Sequence, residues 1–180
     1  WPTGPRARAI ALNEPGLRCA YVSNGNATPE ALQFIRPLVD AYKVDLKSFN
    51  DRHYRDLGGV LENVTRTIQM LKQMDFWAEI VTLLVPGFND DPDELKRMAG
   101  FLAGVDVLMP WHITAFHSDY KMSETRSTTA EDLLNAGEIA RSAGMQYVYL
   151  GNMPGQLGQW EDTRCHQCNH TLIRRRGFLV

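Results

Sequence analysis

The sequence predicts an α/β fold, a partial (β/α) barrel of about five parallel strands with helices on the outside. Five apolar, β-branched or aromatic runs carry the prediction: "RCAYVSNG", "YKVDLK", "FWAEIVTLLVPG", "PWHITAF" and "MQYVYLGN". Their centres, near Tyr21, Asp45, Val81, Ile113 and Val148, recur about every 25 to 36 residues, the length of a strand–helix unit. Helical patterns with start signals lie between them, which implies right-handed crossovers and a parallel sheet. A closed eight-unit barrel takes about 250 residues. A chain of 180 residues therefore builds an open sheet or the later part of a larger barrel.

Each helix is justified by its own signals. Thr28-Pro29-Glu30 offers a capping hydroxyl, a proline at the first helical position and an acid at the positive helix end, ahead of Leu32, Ile35 and Leu38. Pro37 should end or kink that helix early. Leu61, Val64, Ile68, Leu71 and Met74 make one apolar stripe at helical spacing. Asp91-Pro92-Asp93-Glu94 repeats the cap, proline and acid arrangement before Leu95, Met98, Ala99 and Leu102. Thr128-x-x-Glu131 reads as a capping box before Leu133, Leu134, Ile139 and Ala140, and Gly144 suits the left-handed position that ends a helix.

Composition is that of an ordinary globular domain, with 44% hydrophobic and 22% charged residues and a formal net charge of -2. No basic nucleic-acid surface is indicated, and the run Arg174-Arg175-Arg176 reads first as a solvated edge. No stretch approaches about 18 uninterrupted apolar residues, so no membrane span is expected. The start, "WPTGPRARAIALNEPG", has neither an initiating Met nor the pattern of a signal peptide, and reads as a cut end. Three cysteines, two of them in a C-x-x-C pair, argue against a secreted disulfide framework and for a reducing cytoplasm. Three regions are expected: an unassigned segment 1–15, the barrel over 16–155, and a C-terminal extension over 156–180.

In parallel α/β folds the loops after the strand C-termini gather on one side and form the site. Here those loops are "SNGNAT", "KSFNDRHY", "PGFNDDPD", "FHSDYKM" and "GNMPGQ". Within "YKVDLKSFND", alternation puts Val44 and Leu46 on one face and Asp45 and Lys47 together on the other. Two charges on one face of a strand need a polar environment or each other. They make either a clamp, with lysine for a ligand carboxylate and aspartate for an ammonium or hydroxyl, or an internal ion-pair plug. His112 lies within its strand, where a hydrogen-bonded core histidine is the frequent outcome. His117, just past the strand end, is the better candidate for ligand contact, and His53 carries no specific signal. Cys165 and Cys168 have the spacing of half a zinc knuckle, with His166 and His170 as further candidate ligands, but no second pair follows. A shared structural metal and unligated thiols both remain open. No dinucleotide-binding, P-loop or hydrolase nucleophile motif is present.

The segments "YVSNGNATPEAL", "VDLKSFND", "IVTLLVPGFNDDPDEL", "PWHITAFHSDYKM", "YVYLGNMPG" and "RCHQCNHTLIRRRGF", in this order and spacing, resemble the later two thirds of the AmmeMemoRadiSam-system radical SAM enzymes. These are relatives of the activases of pyruvate formate-lyase, and the resemblance covers about residues 16 to 180. It implies a partial barrel of the radical SAM type holding S-adenosylmethionine (SAM) and a four-iron four-sulfur (4Fe-4S) cluster. The cluster donates an electron to the sulfonium, and the 5'-deoxyadenosyl radical so formed abstracts hydrogen from a substrate. By the same resemblance Asp45 and Lys47 match the D-L-K motif at the methionyl end of SAM. His117 matches a cofactor-contacting histidine, and Ser23, Asn24 and Gly25 match the loop beside the cofactor carboxylate. A Memo-type or AMMECR-type protein is the implied partner.

One family feature is missing. The C-x-x-x-C-x-x-C loop that holds the cluster does not occur in the sequence. The expectation is therefore a truncated or degenerate chain. It is either the C-terminal part of a radical SAM enzyme or a non-catalytic remnant that keeps the barrel wall and docks a partner. An unrelated aldolase-like barrel using Lys47 as an amine nucleophile is the third reading.

Overall fold

The computed structural model describes residues 17–177 and 179–180, so the expected segment 1–15 lies outside the described residues. All five apolar runs form strands: β1 Ala20–Ser23, β2 Ala41–Asp45, β3 Trp77–Leu84, β4 Trp111–Ala115 and β5 Val148–Gly151. They make one sheet in the order β1-β2-β3-β4-β5, every neighbouring pair parallel. Five helices connect or follow them: α1 Pro29–Ile35, α2 Asp51–Asp56, α3 Leu61–Gln73, α4 Pro92–Val105 and α5 Ala130–Ser142. Among the described residues no helix is long and apolar enough to cross a membrane.

Strand alternation divides the sheet into two unlike faces. Tyr42, Val44, Ile80, Leu84, Trp111, Ile113, Val148 and Leu150 are buried on the helix-covered face. They pack with Leu32, Ile68, Leu71, Met98, Leu102, Leu133 and Ala140 from the helices, each full-sized side chain contributing about 1.5–3 kcal/mol on burial. Among the described residues Thr82 is the one buried polar strand residue on that face. Its hydroxyl donates to the Leu46 carbonyl at 2.8 Å and accepts from Trp111 Nε1 at 2.9 Å, so both buried groups are satisfied. The opposite, open face carries Val22, Lys43, Asp45, Glu79, Val81, His112 and Tyr149. The register sets Lys43 beside Val22 and Glu79, and lines up Asp45, Val81, His112 and Tyr149.

The helix signals hold with two differences. Thr28 and Asp91 cap α1 and α4 as expected, Pro37 sits in a single 3-10 turn that closes α1, and Gly144 adopts φ +100° after α5. The capping box of α5, however, is Thr129 with Asp132, one residue later than the expected Thr128 with Glu131. Thr128 is buried, and its hydroxyl donates to the Leu84 carbonyl at 2.5 Å and accepts from the Phe116 amide at 3.0 Å. Two interior backbone groups outbid the helix end for that hydroxyl. The second difference is α2, which occupies a stretch expected to be loop; Asn50 caps it by accepting from the Arg52 amide.

Beyond β5 the expected C-terminal extension folds as a short antiparallel hairpin, β6 Thr163–Arg164 and β7 Thr171–Ile173. Trp160, just before it, is buried on Gly137 of α5 with the Arg141 guanidinium 3.4 Å over its ring. Tyr149 on β5 meets Thr163 of the hairpin at 3.1 Å. The hairpin is thus tied to the last strand of the sheet.

Gly25 has φ +78°, and a Cβ there would lie 2.8 Å from Val64 Cγ1 and 2.9 Å from Val44 Cγ1. Gly25→Ala should cost about 1–3 kcal/mol in urea unfolding. Val64→Ala should cost less in that background than alone, because it removes one of the two close contacts. Asp132 accepts two hydrogen bonds from Arg126, at 2.6 and 3.0 Å, and these hold its carboxyl well below the usual carboxylate range. A depressed folded-state pKa gives stability that is complete above the unfolded value and is lost as pH falls through the folded one. Asp132→Ala should therefore cost about 1 kcal/mol near neutrality, and the gap to the parent should narrow as unfolding is followed downward from about pH 4.

Candidate functional site

Parallel strands leave backbone groups at their C-terminal ends beyond the ladder, and where these are buried a side chain must meet them. Asn89, buried in the loop after β3, does this for two loops at once. Its amide nitrogen donates to the Lys47 carbonyl at 2.7 Å and the Leu83 carbonyl at 2.9 Å, while its oxygen accepts from the Val85 amide at 2.7 Å. Glu94, buried in the first turn of α4, accepts from Ser48 Oγ at 2.6 Å and the Phe49 amide at 2.7 Å. With the Ser48 hydroxyl donating to Glu94, the His53 Nδ1–H, 3.0 Å away, donates to Ser48 Oγ. His53 also stacks on Phe88 at 4.4 Å between ring centroids. The Lys47 amide donates to the Tyr54 hydroxyl at 3.1 Å, and burial pushes that phenol up to about 12. Both backbone groups of Lys47 are therefore held.

That scaffold presents a row of charges. Asp45 pairs with Lys47 at 3.3 Å and also with Lys43, one strand repeat earlier. The three alternate along β2 and its continuation, so all project from the open face, and Val44 and Leu46 between them are fully buried. The sequence expectation that Asp45 and Lys47 share a face agrees with this geometry. Lys43 was missed, although the same alternation marks it. Asp45 is about a quarter exposed and Lys47 about half, which leaves carboxylate lone pairs and ammonium donors for a ligand. A zwitterionic amino-acid group would meet complementary charges here.

Further along the open face Glu79 accepts from His112 Nε2 at 2.8 Å and Trp77 Nε1 at 2.9 Å, and the hydrogen bond from His112 holds its carboxyl below the usual range. His112 stacks on Tyr149 at 5.0 Å. The expected core histidine is thus half-buried on the polar face instead, because position 112 falls in register with Asp45 rather than with the helix-covered residues. With Arg175 and Thr163 from the C-terminal segment these residues line a hollow of about 460 Å³.

The other expected site residues are not gathered around Asp45. Ser23 is in register with Val44, on the other face from the charges, and its hydroxyl accepts from the Gly25 amide at 3.0 Å. Asn24 is exposed and accepts from the Asn26 amide at 3.2 Å, and Gly25 is buried against Val44 and Val64. Ser23, Asn24 and Gly25 thus shape the first loop. His117 is exposed, on the strand-end side where its position put it. Cys165 and Cys168 lie in the hairpin turn between β6 and β7, while Cys19 precedes β1 at the far edge of the sheet. Among the described residues no three His, Cys, Asp or Glu side chains assemble a metal site. The thiols of this chain therefore do not fit a cluster of the kind the resemblance implies, whereas the row on β2 fits the amino-acid end of SAM.

Comparison with known proteins accords with the geometry. The family model of the radical SAM superfamily matches residues 2–102. An uncharacterized protein of Methanocaldococcus jannaschii is 34% identical over 173 residues, covering 94% of this chain and 50% of that protein. The pyruvate formate-lyase-activating enzyme of Staphylococcus aureus is 24% identical over 159 residues, covering 81% of this chain and 62% of the enzyme. The chain thus spans between half and two thirds of the length of these curated relatives. Among solved structures, a domain of pyruvate-formate lyase-activating enzyme from Bacteroides vulgatus superposes with a TM-score of 0.71 at 19% identity, over 82% of this chain and 88% of that one. TYW1 with a lysine-pyruvate adduct bound gives a TM-score of 0.51 at 19% identity, over 71% of this chain and 41% of that one. These two show the shared fold, a partial (β/α) barrel of the radical SAM type. With a family match over more than half of its residues, on a sheet that places its charges at the strand ends of that barrel, the chain belongs to the radical SAM superfamily.

Proposed function

We propose that this chain forms the SAM-binding wall and the substrate side of a radical SAM enzyme resembling the pyruvate formate-lyase activases, of the AmmeMemoRadiSam group. The observation that carries the reading is the Lys43–Asp45–Lys47 row on the open face, at the C-terminal end of a parallel strand. Asp45 would accept from the α-ammonium of SAM, and Lys47 would donate to its carboxylate. Asn89 and Tyr54 hold the Lys47 backbone, so no backbone ordering at that position is left to be done at binding. When bound beside an iron-sulfur cluster, SAM supplies reductive cleavage and hydrogen abstraction; the cluster ligands are not among the residues of this chain.

His117, exposed past β4, is a further candidate contact to the cofactor. The hollow between Glu79, His112 and Arg175 gives the same face room for a substrate with both polar and aromatic parts. The motif set that includes the terminal C-x-x-C supports the narrower group and, with it, a Memo-type or AMMECR-type partner. The aldolase-like reading is disfavoured by the ion pair of Lys47 with Asp45, since an amine nucleophile needs a desolvated or cation-flanked pocket that favours its neutral form.

The test is SAM affinity by calorimetry on the parent and on Lys47→Ala and Asp45→Asn. Losing one charge-assisted hydrogen bond, worth about 1.5–3 kcal/mol, should weaken binding about ten- to a hundredfold. Neither substitution removes a thiol, so neither should change iron-sulfur content. Unaltered SAM affinity in both variants would remove the assignment.

A further inference from the structure

The C-terminal hairpin holds two free thiols that the proposed reaction does not use. We propose that the Cys165–Cys168 turn is one half of a tetrahedral zinc-class cation site, completed by the same turn of a second copy of the chain.

The turn is built as a two-thiolate ligand. The Cys165 amide donates to the His170 carbonyl at 2.9 Å, and the Asn169 amide donates back to the Cys165 carbonyl at 2.8 Å, closing the loop across the base of the hairpin. Asn169 takes the left-handed conformation, φ +58°, just after the second cysteine, and Arg164 Nε anchors its side-chain oxygen at 2.8 Å. Cys165 and Cys168 are both free thiols of this one turn.

Two thiolates are half of what such a cation takes. Structural zinc is four-coordinate and prefers sulfur and imidazole donors. Among the described residues no third donor joins the pair. His166 is engaged outside the turn, its Nδ1 3.0 Å from the Tyr147 hydroxyl. Cys168 and His170 are exposed, as are Leu172 on β7 and Leu179 and Val180 beyond it. Two hairpins meeting about a twofold axis would bring four sulfurs together and cover part of that apolar surface, an isologous contact of the commonest kind. Each ligating thiol loses its proton to solvent as the metal binds.

Cobalt(II) titration of the reduced, metal-free chain tests this. The expected result is a thiolate-to-cobalt charge-transfer band with tetrahedral ligand-field bands, saturating at about one metal per two chains. Sedimentation should show the mass doubling over the same titration, and zinc should bleach the bands. Cys165→Ser and Cys168→Ser should each abolish band and dimer while unfolding in chelator like the parent. Cys19→Ser, at the far edge of the sheet, should change neither. The proposal is overturned by the absence of a thiolate band, by a band that survives Cys168→Ser, or by saturation at one metal per chain without a change in mass.

Discussion

The carbonyls at the C-terminal ends of the parallel strands must find donors once the ladder stops, and the rest of this structure depends on how they do so. Thr82 serves the Leu46 carbonyl, Asn89 those of Lys47 and Leu83, Thr128 that of Leu84, and Asn152 that of Ala115. All but one of these bonds join a loop or strand to its neighbour; the bond from Asn89 to Leu83 ties the loop after β3 back to its own strand. A backbone group left unpaired in the interior would cost about 1–3 kcal/mol, so the loops on this side are held closely. The edge of the sheet where a ligand would bind is therefore a cross-linked rim.

The same rim explains how a row of charges can be held at the end of a strand. Val44 and Leu46 are locked into the core, so Lys43, Asp45 and Lys47 have only the open face to project into. There they neutralise one another in part and stay in contact with solvent, which avoids the large desolvation cost of a sealed ion pair. Glu79 and His112 repeat this solution on the next two strands. The helix-covered face supplies the stability, and the open face is left free to be polar.

Much of this was legible before any coordinates. Period-two alternation marks the five strands, and cap residues mark the starts of α1 and α4, because both signals are local. Alternation also marks Lys43 with Asp45 and Lys47. The errors share a cause. Thr128 and Thr129 are equally good caps in sequence, and only the unpaired Leu84 carbonyl and Phe116 amide beside Thr128 decide between them. His53 carries no local signal, since two of its partners, Phe88 and Glu94, come from the segment between β3 and the first turn of α4. His112 was judged by its neighbours in the chain when its environment is set by the strands on either side.

The sequence by itself determined the α/β class, the succession of strands and helices, and the pairing of Asp45 with Lys47 on one face, since each follows from the chain's own periodicity and its turn chemistry. Only the tertiary structure decided which polar side chains serve the buried strand ends, that Ser23 belongs to the first loop's architecture rather than to the charged face, and that His112 joins Glu79. Those outcomes turn on backbone groups and registers brought together from residues far apart in the chain, and no periodicity within one segment records what the neighbouring strand leaves unsatisfied.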